Sequence, residues 1–239
     1  MNSLATRLKQ SDLFSLGIAL IFSSILLAYP ASQAQQLQQG VSVTMAITAN
    51  AQPMPAADDE DAWVVAVTAD GNLFFGTHSM TESNLIEKMK TTPRRRDQNL
   101  YIKADARARF ADVKKALQAA REDSFEAPVL LTAQHEHLQA GTMVPPKGLE
   151  VLLTQPALGS EPTVVQVRST AEGAPRLEVN NHQIPLANLQ NTLAQLFQNR
   201  TEKVVALSAD SQLPFAQVAQ VIDACRSAGA KVILPTPEL

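Results

Sequence analysis

The apolar positions of this chain switch from a period of two to a period of 3.6 and back, and they do so twice. Trp63-Val64-Val65-Ala66-Val67-Thr68 is a β-branched run that predicts a strand. Asp70-Gly71 predicts a tight turn, and Leu73-Phe74-Phe75 the returning arm of a hairpin. Thr81 to Thr91 predicts a helix with Leu85, Ile86 and Met89 on one face and Pro93 as its stop. Leu100 to Lys103 reads as a short strand. After Ala104-Asp105 a second helix extends to Glu122, with Val113, Ala116, Leu117 and Ala120 at the i, i+3, i+4, i+7 spacing that buries one face. Val129 to Thr132 closes the series behind Ala127-Pro128.

The second series follows the same order. Thr163 to Val167 is a strand, followed by a hairpin lengthened around Thr170-Ala171-Glu172-Gly173. Leu186 to Gln198 is a helix with Leu189, Leu193, Leu196 and Phe197 on its stripe, and Lys203 to Ser208 is a strand. Pro214 suits the first turn of the next helix, where a missing N–H costs nothing. That helix buries Val218, Val221, Ile222 and Cys225, and Gly229 closes it. Lys231 to Leu234 is the last strand, ended by Pro235 and Pro237. Both series read β-β-α-β-α-β. The predicted fold class is α+β, with each module formed by two helices packed on one face of a small mixed β-sheet.

The likeness extends to residue identity. Ala-Asp-x-x-x-x-Phe-Ala-x-Val occurs at Ala104 and again at Ala209, an offset of 105 residues (Asp105 against Asp210). At the same offset Leu117 meets Ile222, Ala119 meets Ala224 and Arg121 meets Arg226. Gly40-Val41-Ser42-Val43 resembles Gly148-Leu149-Glu150-Val151, and His78 meets His182 at an offset of 104. A period this long is a whole domain used twice rather than a solenoid repeat. The second copy lengthens the reach of the chain or supplies a pairing surface within it.

Ahead of the repeat, Arg7 and Lys9 precede an uncharged stretch from Leu13 to Tyr29, ended by Pro30, and no lysine or arginine follows before Lys88. The positive-inside rule keeps the N-terminus cytoplasmic and exports the rest. Two readings stand side by side. The stretch reaches the lower limit for a bilayer span. Ser32-Gln33-Ala34 equally offers the small residues of a signal-peptide cleavage site after Ala34. Asp12, at the cytoplasmic edge, is either a headgroup-level carboxylate or a membrane carboxylate that takes up and releases a proton. The resulting boundaries are 1–11 cytoplasmic, 12–30 transmembrane helix or uncleaved anchor, 31–61 linker with a short strand, 62–134 first module, 135–147 interdomain linker and 148–237 second module.

Composition narrows the function. The net charge of −3 leaves no nucleic-acid footprint, and aromatic residues at 5% argue against stacking platforms. One cysteine, Cys225, forbids an internal disulfide, and its place on an apolar stripe makes it a core residue. The duplicated Asp105 and Asp210 follow a strand and precede a helix, where a carboxylate fixes a turn by accepting backbone N–H groups. Phe110 and Phe215 read as core. His135-Glu136-His137 offers too few ligands for a zinc centre. Arg94-Arg95-Arg96 reads as a solvated loop or as a contact for an anionic polymer. No phosphate loop, catalytic triad or paired-acid arrangement stands out. The expectation is a non-enzyme with no catalytic residues, no cofactor and no metal.

The anchor with an acid at its start and a proline at its end, the Gly-Val-x-Val stretch and the Asp-Gly hairpin join the segment Leu100-Tyr101-Ile102-Lys103-Ala104-Asp105. Together they resemble the ExbD/TolR family of biopolymer transport proteins, over residues 12–134 and again over 148–237. The resemblance implies a single-pass subunit of the bacterial inner membrane with its C-terminal modules in the periplasm. It implies a homodimer beside an ExbB/TolQ/MotA-like channel subunit, a TonB- or TolA-like partner and contact with peptidoglycan. It also implies coupling of proton flow to work at the outer membrane, with Asp12 as the proton-coupling residue. Asp12 lies farther from the closing proline than the family's acid does, and Ser11 precedes it. The competing expectation is an exported binding or scaffold protein, cleaved at Ala34, that contacts peptidoglycan or a protein partner. A third is a periplasmic hydrolase using His135 or His137.

Overall fold

The computed structural model describes residues 40–95, 97–134, 144–154, 161–170 and 174–235. The stretch 12–30, Ala34, and His135, Glu136 and His137 lie outside the described residues. Among those described, no helix is long and apolar enough to cross a membrane.

In the first copy, β2 (Trp63–Val67) pairs in parallel with β5 (Leu100–Ala104), and β5 pairs in parallel with β6 (Val129–Thr132). On its other side β2 carries antiparallel β3 (Leu73–Phe75), which carries antiparallel β4 (His78–Met80). Both crossovers, β2 to β5 and β5 to β6, step the same way along the sheet. Right-handedness therefore places α1 (Glu82–Thr91) and α2 (Phe110–Glu122) on the same face. The second copy repeats the order with β8 (Thr163–Arg168), β9 (Arg176–Val179), β10 (His182–Ile184), α3 (Leu186–Leu196), β11 (Val204–Ala209), α4 (Phe215–Ser227) and β12 (Lys231–Ile233). Its sheet runs β10-β9-β8-β11-β12, the counterpart of β4-β3-β2-β5-β6. Among the described residues the architecture is four α-helices on two mixed sheets.

Each copy holds one more strand than the hydrophobic pattern predicts. β4 and β10 are three-residue edge strands with exposed histidines at their first positions, so neither alternation nor burial marks them. Two-residue turns make them. Gly76 opens one turn at φ +61°, and Asn180 and Asn181 form the other at φ +47° and +68°. His78 and His182 are thus edge-strand residues. Leu196, predicted on the buried stripe of α3, is 39% exposed, because the helix ends there and Phe197 takes the core position.

Two further strands extend the first sheet alone. β7 (Lys147–Glu150) pairs antiparallel with β6, and β1 (Gln52–Pro53) pairs antiparallel with β7. The chain then leaves β7 and Leu152 bridges to Ile233, so one segment joins the first sheet to the edge of the second. Arg226 Nη1 donates to the Glu150 carbonyl at 2.7 Å beside this crossing.

The inner faces of both sheets and all four helices contribute to one continuous core that runs from Leu85 and Ile102 through Phe110 to Phe215 and Ile222. The outer faces differ. In the first copy Val64, Tyr101, Val129 and Leu131 are buried under Met45, Met54, Ala57 and Ala62, because residues 45–62 fold back across them. Lys103 lies on this face, 2% exposed, and burial lowers its pKa while Asp58 in the covering segment opposes that shift. In the second copy β8 alternates buried and open positions, with Val164 and Arg168 exposed.

Candidate functional site

Each copy ends its parallel strand in Ala-Asp. Val67 partners Ala104 in one copy and Val167 partners Ala209 in the other. The amide of the following aspartate donates to Val67 or Val167 at 2.8 Å in both. Asp105 then folds its carboxylate over the turn. Oδ1 accepts the Arg107 amide at 3.0 Å, and Oδ2 accepts the Thr44 amide at 3.1 Å. The Arg107 guanidinium adds Nε at 2.9 Å and Nη2 at 3.1 Å. In the second copy Asp210 accepts from the Ser169 hydroxyl at 2.7 Å and from the Ser169 amide at 3.3 Å. The duplicated aspartates fix turns, as expected from their position between strand and helix.

Hydrogen bonds from Arg107 hold the Asp105 carboxyl down at about 2. A depressed carboxylate stabilises the fold above its unfolded pKa and loses that contribution as pH falls through the folded value. The chain should therefore lose about 1–2 kcal/mol between about pH 4 and about pH 2, discounted because Arg107 is largely solvated. Unfolding midpoints across that window should fall less steeply for Asp105→Asn than for the native chain. Equal slopes would refute the assignment.

The turns deliver the chain to the N-termini of α2 and α4, whose cap positions are Arg109 and Pro214. Neither helix has a side-chain N-cap. A helix start leaves amides without intrahelical acceptors. Here the opposite copy supplies acceptors. Phe110 donates to the Leu213 carbonyl and Phe215 to the Ala108 carbonyl, both at 2.8 Å. Ala111 donates to Ser211 and Ala216 to Ala106, both at 2.9 Å. Arg109 and Pro214 form an antiparallel bridge between the two bonded rows. Pro214 sits at the cap rather than in the first turn. Lys114 adds a bond from Nζ to the Ala209 carbonyl at 3.1 Å. A cavity of about 20 Å³ between the copies is lined by Phe110, Leu117, Leu207 and Leu234.

Asp112 braces this junction from within the first copy. It accepts from Lys115 at 2.7 Å and from Arg109 Nε at 3.1 Å. Burial works to raise its pKa, but these two cations hold it below the usual carboxylate range. Gly71 closes over it at φ +80°, where an added Cβ would lie 2.6 Å from the carboxylate. Hence the Asp-Gly hairpin serves packing as well as the turn. Asp223, 6% exposed on α4, accepts the amides of Ala49 and Asn50 at 2.9 and 3.0 Å and fastens the segment that leads into the first module.

The remaining sequence candidates separate. Cys225 is buried, and desolvation pushes its thiol up to about 12. Arg94 stacks over Phe125 at 4.1 Å and donates to the Asp123 carbonyl, while Arg95 pairs with Asp61 at 3.0 Å. These two arginines are engaged within the first module. His78 borders an open depression of about 570 Å³ beside α1. No group of three or more histidines, cysteines or acids among the described residues could hold a metal ion. Asp12 and the His135-Glu136-His137 segment lie outside the described residues. Sequence reasoning missed the backbone exchange at Arg109 and Pro214 and the fastening by Asp223. The one signal for the former was that the repeat places Arg and Pro, neither a capping residue, at matched helix starts.

No curated protein matches the chain. The profile of the family described as "Biopolymer transport protein ExbD/TolR" matches residues 20–135 and again residues 138–238. Two matches that together span most of the chain, each holding one Ala-Asp turn and one β-β-β-α-β-α-β module, establish that the chain belongs to the ExbD/TolR family of biopolymer transport proteins.

Proposed function

We propose that this chain is a single-pass subunit of a proton-driven energy-transducing complex in the bacterial inner membrane, with both modules in the periplasm. The double family match is the observation that carries the reading. The uncharged stretch Leu13–Tyr29, preceded by Arg7 and Lys9, supports one membrane crossing with the N-terminus inside. On this reading the chain works beside an ExbB/TolQ/MotA-like channel subunit and passes force to a TonB- or TolA-like partner or to peptidoglycan. Asp12 is the proton-coupling residue. The family match begins at residue 20, so the assignment of Asp12 rests on its place as the one acid ahead of Asp58. The protein performs no covalent chemistry of its own.

The test is extraction of the native chain from cell membranes. Carbonate-washed membranes should retain an uncleaved chain that copurifies with a multi-span membrane protein. Release of a soluble chain beginning at Gln35 would replace this reading with that of an exported scaffold.

A further inference from the structure

The bonds that join the two modules are related by exchange. At the repeat offset Ala108 corresponds to Leu213 and Phe110 to Phe215. Swapping the copies therefore turns the Phe110–Leu213 bond into the Phe215–Ala108 bond. The Ala111–Ser211 and Ala216–Ala106 bonds exchange in the same way. Arg109 and Pro214 exchange with each other across the antiparallel bridge, so a local two-fold axis passes between them. An arrangement in which residue i meets j and j meets i is the signature of an isologous interface between identical subunits. Here it lies within one chain.

The interface is also closed. It occupies the uncapped starts of both α2 and α4, and a third copy would find those amides already bonded. Phe110 and Phe215, 2% and 0% exposed, belong to the core that the copies share, so little apolar surface remains there for a second chain. The joining segment through β7 and Leu152 fixes the pairing in cis.

We infer that one chain supplies both halves of the soluble pair, so the working assembly holds a single copy of this protein. Under the function proposed above, on which this clause rests, that assembly carries one membrane anchor and one Asp12. The homodimer implied by the family resemblance is replaced by pairing inside the chain.

The Arg109/Pro214 bridge supplies the test. They form a non-hydrogen-bonded antiparallel pair, which sets their Cα atoms about 4.5 Å apart, within disulfide range. The full chain carrying Arg109→Cys and Pro214→Cys is oxidised in native membranes with copper phenanthroline. Cys225, buried and protonated, does not compete. Nearly all the oxidised protein should run at single-chain mass, with a peptide linking the two positions. A disulfide-linked dimer would overturn the inference, as would heterodimers from coexpressed single-cysteine chains or an absence of any bond. Native mass spectrometry of the unsubstituted chain, solubilised with whatever copurifies, should count one copy, and two copies would overturn it. Neither readout depends on transport. A chain that pairs internally but copurifies with no channel subunit defeats the proposed function and leaves the internal pairing standing.

Discussion

Phe215→Ala should destabilise the whole chain by about 3–5 kcal/mol, the range for emptying a buried phenylalanine site. Phe215 is fully buried and sits at the start of α4, where its amide bonds to the first copy. The informative part is where the loss is read. Trp63 is the sole tryptophan of the chain and lies in β2 of the first copy, packed against Phe75 and Phe125. Because the two copies share one core, Trp63 fluorescence should report a lowered unfolding midpoint for a substitution made in the other copy. Phe110→Ala should give a loss of similar size by the same probe. Phe215→Leu, which retains most of the volume, should lose far less. If the Trp63 transition stays put in Phe215→Ala while far-ultraviolet dichroism shows a second, earlier one, the copies fold separately and the continuous core does not bind them energetically.

Under the function proposed above, Asp12→Asn should abolish complementation of a deletion strain while leaving the chain in the membrane at its native level. The substitution keeps size and polarity and removes ionisation, so insertion and orientation set by Arg7 and Lys9 are preserved. No other acid occurs before Asp58, so no neighbour can assume a proton-carrying role in that segment. An acid at a membrane position is expensive and tends to be retained for function. Asp12→Glu, which restores a carboxylate on a longer stem, should recover part of the activity. Full activity of Asp12→Asn would remove proton coupling at this residue and leave the scaffold reading.

The elements that the chain announces most clearly are those whose burial is one-sided. The α2 stripe Val113, Ala116, Leu117 and Ala120 is fully buried as its spacing predicts, and so are Val218, Val221, Ile222 and Cys225 in α4. β4 and β10 escaped because two exposed residues and one half-buried one carry no period. The cover over the first sheet escaped for a different reason. Its signal was present in a comparison of equivalent strands: the outward positions Val64 and Ala66 are both apolar, where β8 has Val164 and Gln166. A strand apolar on both faces is buried on both faces. Lys103 concealed the pattern, because a lysine in β5 suggests a solvated face, whereas here it lies beneath the segment containing Asp58. The pairing of helix starts left one trace only, the lack of a capping residue at Arg109 and Pro214, because the bonds themselves are made by backbone groups. The Ala-Asp turns were legible because strand, acid and helix occur in the same order twice.

Where two identical chains meet across an axis, the residue on that axis must face its own twin, and every change is made in duplicate. An arginine there would confront an arginine, and a proline a proline. Fusion into one polypeptide lifts that constraint: Arg109 looks across at Pro214, and like charges never meet. Each half can now drift on its own, one roofed and the other bare, while the seam between them persists.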